Sequence, residues 1–77
     1  METLISRLKS KYQDQIKEIK TVDKAEISIT IKSGIDAPTF SQDLQDHLVE
    51  IVDELTIVQV NVLAEDGKVL DSFSTNQ

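Results

Sequence analysis

Apolar residues in the first part of the chain recur at helical spacing. Between residues 2 and 20 they fall every three or four positions, at Leu4, Ile5, Leu8, Tyr12, Ile16 and Ile19. This period places them on one side of an α-helix. We therefore predict a first helix over residues 2–20, followed by a turn at residues 22–24.

The pattern then changes to strict alternation. Between residues 25 and 32 every second side chain is apolar, namely Ala25, Ile27, Ile29 and Ile31. The residues between them are polar, so the pattern predicts a strand with one buried face and one solvated face. A strand of this kind belongs to a sheet that helices cover on one side only.

A second helix is predicted after a loop at residues 33–38. Thr39 and Gln42 have the spacing of a capping box, in which each side chain hydrogen-bonds to the backbone of the other residue. The helix should run to about Glu54. Its buried stripe would consist of Phe40, Leu44, Leu48, Ile51, Val52 and Leu55.

The last part of the chain predicts a β-hairpin. Residues 57–64 and 69–74 form two short runs with many β-branched or aromatic side chains. Between them, Asp66 and Gly67 favour a two-residue turn, which needs positive φ at both central positions. Residues 74–77 are predicted to form a disordered tail.

The register of this hairpin depends on the length of its turn. A two-residue turn would pair Val60 with Phe73 and Val62 with Asp71. A three-residue loop would instead place Leu70 opposite Val62 and move Phe73 away from the core. The apolar pattern alone leaves both registers open.

These elements define a fold class. A strand, a helix and a second strand in succession form a right-handed crossover that makes the two strands parallel, and the final hairpin is antiparallel. We predict one two-layer α+β domain over residues 1–77. Two helices would pack on one face of a three-stranded mixed sheet, in the order helix-strand-helix-strand-strand.

Charge is distributed unevenly along the 77 residues, which carry a net charge of −6. Residues 1–32 hold seven bases and five acids, a net +2, whereas residues 33–77 hold one base and nine acids, a net −8. The chain has no cysteine and no apolar run long enough to cross a bilayer. We therefore expect a cytoplasmic protein without a membrane partner.

The sequence gives little support for catalysis. His47 is the single histidine. Together with Asp43 and Glu50 it could hold a cation weakly, but a histidine at the core edge that hydrogen-bonds to a carboxylate fits the same pattern. No second group of ligands and no nucleophile beside a base is visible. We expect a protein that is not an enzyme and needs no cofactor or metal.

The acidic flank of the second helix is the first candidate binding surface. It consists of Asp43, Asp46, Glu50, Asp53 and Glu54. Such a flank either keeps a small protein soluble or docks a basic protein partner, and in the second case it could mimic a nucleic acid and block its site. A further alternative is neutralisation by Lys9, Lys17 or Lys20 of the first helix.

The uncovered sheet face is the second candidate surface. The two-residue turn would place Leu63 directly opposite Leu70, with Ile57 and Asn61 on the same strand. These four residues would form a moderately apolar platform for a protein partner or for a second copy in a homodimer. We therefore predict an interaction module that acts as an adaptor, an assembly subunit or an inhibitor.

Binding to nucleic acid is an alternative function. It would use the basic residues of the first helix, which are Arg7, Lys9, Lys11, Lys17 and Lys20. The three aromatic residues all fall at predicted core positions, so none is available to stack on bases. Together with the net negative charge, this disfavours a nucleic acid partner.

Overall fold

The computed structural model describes residues 2–51 and 57–75, which form two helices and one four-stranded sheet. The elements are α1 (Glu2–Lys11), β1 (Ile16–Asp23), β2 (Glu26–Ile31), α2 (Ala37–Ile51), β3 (Gln59–Leu63) and β4 (Val69–Ser74). The strand order is β1-β2-β3-β4; β2 and β3 are parallel, and both outer pairs are antiparallel. The predicted α+β class with two helices and a mixed sheet is confirmed. The predicted three-stranded sheet and element order are wrong, because a strand replaces the second half of the first predicted helix.

The extra strand is β1, and a β-bulge explains why it resembles a helix in sequence. Ile16 pairs with Ile31 and Glu18 pairs with Thr30, so Lys17 is an additional residue that shifts the register. This bulge changes the spacing of core-facing residues from two to three, and both Ile16 and Ile19 are buried. A three-residue interval is also the mark of a helix, so the apolar pattern could not separate the two structures.

Both helices pack on the same face of the sheet. One continuous core includes Leu8 from α1, Tyr12 from the turn after it and Leu44 from α2. The Tyr12 and Phe40 rings meet edge to face, with centroids 5.3 Å apart. The sheet contributes the alternating residues of β2 and β3, and β2 has the predicted alternation of buried and half-buried residues. The opposite sheet face has no helix over it in the described part of the chain.

The second helix begins earlier than its predicted capping box. The Asp36 carboxylate accepts hydrogen bonds from the Thr39 hydroxyl and from the Thr39 amide, the latter at 3.1 Å. These bonds lower the pKa of Asp36 and make this residue the N-cap. Pro38 then lies in the first turn, where a missing N–H costs nothing. The predicted stripe residues Val52 and Leu55 lie outside the described residues.

The hairpin combines features of both predicted registers. The Gly67 amide donates to the Ala64 carbonyl at 2.9 Å, and the Ala64 amide donates to the Lys68 carbonyl at 2.8 Å, so the loop has three residues. Gly67 has φ of 92°, as such a loop requires. The predicted two-residue turn is therefore wrong.

The expected core pairs nevertheless form, because a second bulge corrects the register. Leu63 pairs with Val69 and Val62 pairs with Asp71, which leaves Leu70 as the extra residue. The pairing of Val60 with Phe73 is retained as well. The bulge thus cancels the shift that a three-residue loop alone would impose.

The predicted tail is wrong for its first two residues. Ser74 is the last residue of β4, and Thr75 is buried. The Val58 amide donates to the Thr75 hydroxyl at 2.8 Å, and the Thr75 amide donates to the Val58 carbonyl at 2.9 Å. Residues 76 and 77 lie outside the described residues.

Candidate interaction surfaces

Three residues of the predicted acidic flank form an exposed row on α2. Asp43, Asp46 and Glu50, which we call the acidic row, follow one another at intervals of three and four residues. Asp43 has 52% of its side chain exposed, and its Oδ1 lies 3.6 Å from His47 Nδ1. Asp46 Oδ1 accepts from Gln42 Nε2 at 3.2 Å. The other two predicted members, Asp53 and Glu54, lie outside the described residues.

Two of the three lysines expected to neutralise this row, Lys17 and Lys20, have other partners. Lys17 Nζ lies 3.7 Å from Glu65, and Lys20 Nζ lies 3.9 Å from Glu18. Within residues 2–51 and 57–75, no lysine or arginine lies at ion-pair distance from the acidic row. The acidic row therefore has no lysine or arginine ion pair over the described part of the chain, although Lys11 borders a pocket with Asp43.

His47 connects α2 to the turn that follows α1, at one end of this row. Its Nδ1 lies 2.9 Å from the Asp43 carbonyl oxygen and 3.1 Å from the Tyr12 hydroxyl. Burial raises the pKa of Tyr12, and the nearby Asp43 and Asp46 raise it further. Of the two predicted roles for His47, the position matches the histidine at the core edge. The described residues include no group of three or more side chains placed to hold a metal ion.

The open sheet face, which is the face opposite the helices, has a polar centre. Asn61 Nδ2 donates to Glu26 at 2.8 Å, and the Ser72 hydroxyl donates to Asn61 Oδ1 at 2.9 Å. Beside them, Gln59 bonds to Ser72 at 2.5 Å and to Ser74 at 2.6 Å. These side chains satisfy one another, so the centre of this face offers few free groups to a partner.

The predicted platform is consequently divided. Ile57 precedes β3 and is 62% exposed, whereas Leu63 is the last residue of β3. Asn61 lies between them and is hydrogen-bonded within the polar centre. Leu70 does not face Leu63, because Val69 takes that position. The structure brings Leu63 and Leu70 to the same end of the sheet but separates both from Ile57.

Sequence reasoning missed a cleft at that end of the sheet. It lies between the β2–α2 loop and the β3–β4 turn and has a volume of about 330 Å³. Ile31, Ile35, Ala64 and Leu70 form its apolar part. The Ser33 amide closes one side by donating to Glu65 Oε1 at 2.6 Å. No short-range sequence pattern predicts this cleft, because its two walls come from segments that are far apart in sequence, as Ser33 and Glu65 show.

The predicted basic helix is also divided. Arg7, Lys9 and Lys11 are exposed on α1, but Lys17 and Lys20 belong to β1. Lys11 borders a small pocket together with Asp14, Asp43 and His47. The five basic residues therefore do not form one helical surface, and carboxylates lie next to three of them, Lys11, Lys17 and Lys20.

Comparison with known proteins assigns this chain to no class. No protein-family model matches it, and no curated protein or solved structure is significantly similar to it. In the described ranges, neither helix combines the length and apolar character needed to span a membrane. Functional inference therefore depends on the surfaces described above.

Proposed function

We propose that this chain is a non-enzymatic module that binds a basic protein through the acidic row of α2. The observation that carries the proposal is the lack of a lysine or arginine partner for Asp43, Asp46 and Glu50 among the described residues. Lys17 and Lys20, two of the predicted counter-charges, pair with other carboxylates. A basic partner would supply the missing counter-charges and gain electrostatic attraction at long range.

The fold supports this proposal by fixing α2 beside β4, at the edge of the sheet opposite β1. α2 is held against β4 by a hydrogen bond of 2.5 Å from the Ser41 hydroxyl to Asp71. Lys11 borders a pocket with Asp43 at one end of the acidic row. Among the described residues, no lysine or arginine lies at ion-pair distance from Asp46 or Glu50.

A nucleic-acid mimic is a special form of the same proposal. In that case the basic partner would itself be a nucleic-acid-binding protein, and the acidic row would occupy its phosphate site. Competition separates the two forms, because a double-stranded oligonucleotide should displace the module only from a partner of this second kind. The proposal includes a cytoplasmic location, which the cysteine-free sequence supports.

The test is binding of a fluorescein-labelled decalysine peptide, followed by fluorescence anisotropy. Asp46→Asn with Glu50→Gln should weaken binding about three- to tenfold, as expected for the loss of two exposed charge interactions. Affinity should also fall steeply between about 50 and 200 mM salt, since screening shortens the reach of exposed charges.

The matched control is Glu18→Gln with Asp23→Asn. It changes the net charge by the same amount but lies on β1, at the opposite edge of the sheet. Its affinity for decalysine should stay within about twofold of the natural chain, as for charges remote from the contact. Equal weakening by the two double variants would contradict the proposal, because it would show a response to net charge alone.

A further inference from the structure

Two of the four exposed large apolar side chains in the described residues lie together at one corner of the molecule, at the start of β4. Val69 is 57% exposed and Leu70 is 43% exposed, and they follow one another in sequence. Leu63 is half-buried and pairs with Val69 across the sheet. We call Leu63, Val69 and Leu70 the apolar corner.

We infer that the apolar corner binds the apolar corner of a second copy, so that the chain forms a two-fold symmetric dimer. A two-fold contact places each surface against itself, so its charges must be self-complementary. The apolar corner meets this condition. Lys32, Glu65 and Asp66 line the adjoining cleft, Lys17 pairs with Glu65, and Lys68 follows in the turn.

This balance is unusual for the acidic part of the chain. Lys68 is the single base in residues 33–77, and it lies immediately before Val69. Lys17 and Lys32 reach the same end of the sheet from the other part of the sequence. Two copies of this acidic protein would repel one another through their acidic rows, but lysine can meet carboxylate where two apolar corners approach.

The other routes to self-association are obstructed. Both edge strands contain irregularities, at Lys17 and Val22 in β1 and at Leu70 in β4, and bulged edges pair poorly with further strands. In β4, the Ser72 amide donates to the side chain of its neighbour Asp71 at 2.8 Å. This amide is therefore not free to pair with a further strand. The centre of the open sheet face is a satisfied polar network, so the apolar corner remains the favoured contact.

The proposed dimer differs from the proposed function in its response to salt. Exposed lysine–carboxylate contacts between the copies contribute little, so salt acts mainly by screening the repulsion between two acidic chains and leaves the apolar contact intact. Dimerisation should therefore strengthen as salt rises. Binding of a basic partner should weaken over the same range. Failure of one proposal therefore leaves the other standing.

The experiment is light scattering of the full chain from about 10 µM to 1 mM, a range suited to a small interface. We expect a concentration-dependent dimer that is more abundant at high salt. Leu70→Ser should raise its dissociation constant at least tenfold, because each substitution removes two apolar side chains from a symmetric contact. Val22→Ser is the matched control, since Val22 is 56% exposed at the far end of β1 and should leave the dimer unchanged.

A second variant distinguishes loss of the dimer contact from loss of folding. Val69→Lys places like charges against each other across the two-fold axis and changes an exposed side chain. It should abolish the dimer while the far-ultraviolet circular dichroism spectrum stays unchanged. A monomer up to 1 mM, or a dimer that survives both Leu70→Ser and Val69→Lys, would overturn the inference. Asp46→Asn with Glu50→Gln should leave the dimer intact, so loss of the dimer in that variant would also overturn it.

Discussion

Both edge strands contain a bulge at the end of the sheet where Thr30 pairs with Leu63, and the two extra residues there have opposite consequences. A second irregularity lies at Val22, near the other end of β1. In β1 the extra residue is Lys17, whose side chain lies in solvent beside Glu65. In β4 the extra residue is Leu70, which leaves an apolar side chain exposed at the sheet corner. At this end of the sheet, the same local irregularity thus gives a solvated lysine in β1 and a candidate contact surface in β4.

Each of these two bulges also determines which side chains of its strand face the core. The bulge in β1 directs Ile16 and Ile19 to the helices although they are three residues apart. The bulge in β4 lets Asp71 and Phe73 keep their places opposite Val62 and Val60 despite a three-residue loop. In both strands one inserted residue changes the spacing of core-facing side chains, and the sheet pairing determines where it lies.

The largest expected effect comes from truncating a core residue that the first bulge directs inward. Ile19→Ala should lower the free energy of unfolding by about 2–5 kcal/mol, since it removes buried methyl groups and leaves a cavity. Leu70→Ala should cost under about 1 kcal/mol, because an exposed side chain has less to lose. Urea unfolding at low protein concentration measures both. Similar losses for the two variants would contradict this contrast between the strands.

The next effect concerns the residue that the second bulge brings to the core face. Asp71 accepts from Ser41 at 2.5 Å, and Ser41 is buried. Ser41→Ala should cost about 1–3 kcal/mol because it leaves a carboxylate oxygen without its buried donor. Ser74→Ala on the open sheet face is the control and should cost less, because water can replace its bond to Gln59. If Ser74→Ala lowered the free energy of unfolding more than Ser41→Ala, the hydrogen bond from Ser41 to Asp71 would not be the more stabilising contact.

A smaller effect should appear at alkaline pH in the segment that leads into β1. Folding raises the pKa of Tyr12 above its ordinary value of 10.0, so the neutral phenol favours the folded state. This contribution is complete below about pH 10 and is lost as the pH rises toward the folded pKa. The urea midpoint should therefore fall above pH 10 in the natural chain. Tyr12→Phe should show a shallower fall, and an identical fall would exclude Tyr12 as its cause.

The smallest effect is expected from deleting either extra residue. Without Lys17, the alternation from Ile16 to Ile19 becomes regular, and without Leu70, Val69 is followed directly by Asp71. Both deletions keep the observed partners across the sheet, so each should change the free energy of unfolding by about 1 kcal/mol or less. Circular dichroism and urea unfolding test this. Loss of folding in either deletion would show that the bulge itself is required.

The sequence could predict those parts of the fold in which local pattern and final structure agree. β2 alternates in sequence and in burial, and β4 occupies the predicted residues 69–74. The N-terminal turns of α1 and most of α2 also follow their apolar stripes. In these segments the period of the side chains is that of the regular backbone, so periodicity was sufficient.

The candidate surfaces could be predicted less well. Asp43, Asp46 and Glu50 are exposed as their helical spacing indicated, because one helix alone determines that placement. The apolar platform depended on a turn, and one additional residue in that turn moved Val69 opposite Leu63. The cleft beside Leu70 depended on two loops that meet only after the sheet has formed.

By itself, the sequence determined the α+β class, the alternating strand at the centre, the acidic side of α2 and the net charge of −6. Only the tertiary structure decided that residues 16–23 pair with β2 as a strand and that Leu70 remains exposed. The physical reason is that a bulge takes its geometry from the neighbouring strand. Sequence periodicity shows which side chains are apolar. Hydrogen bonding between the strands determines which residue has no partner and becomes the bulge.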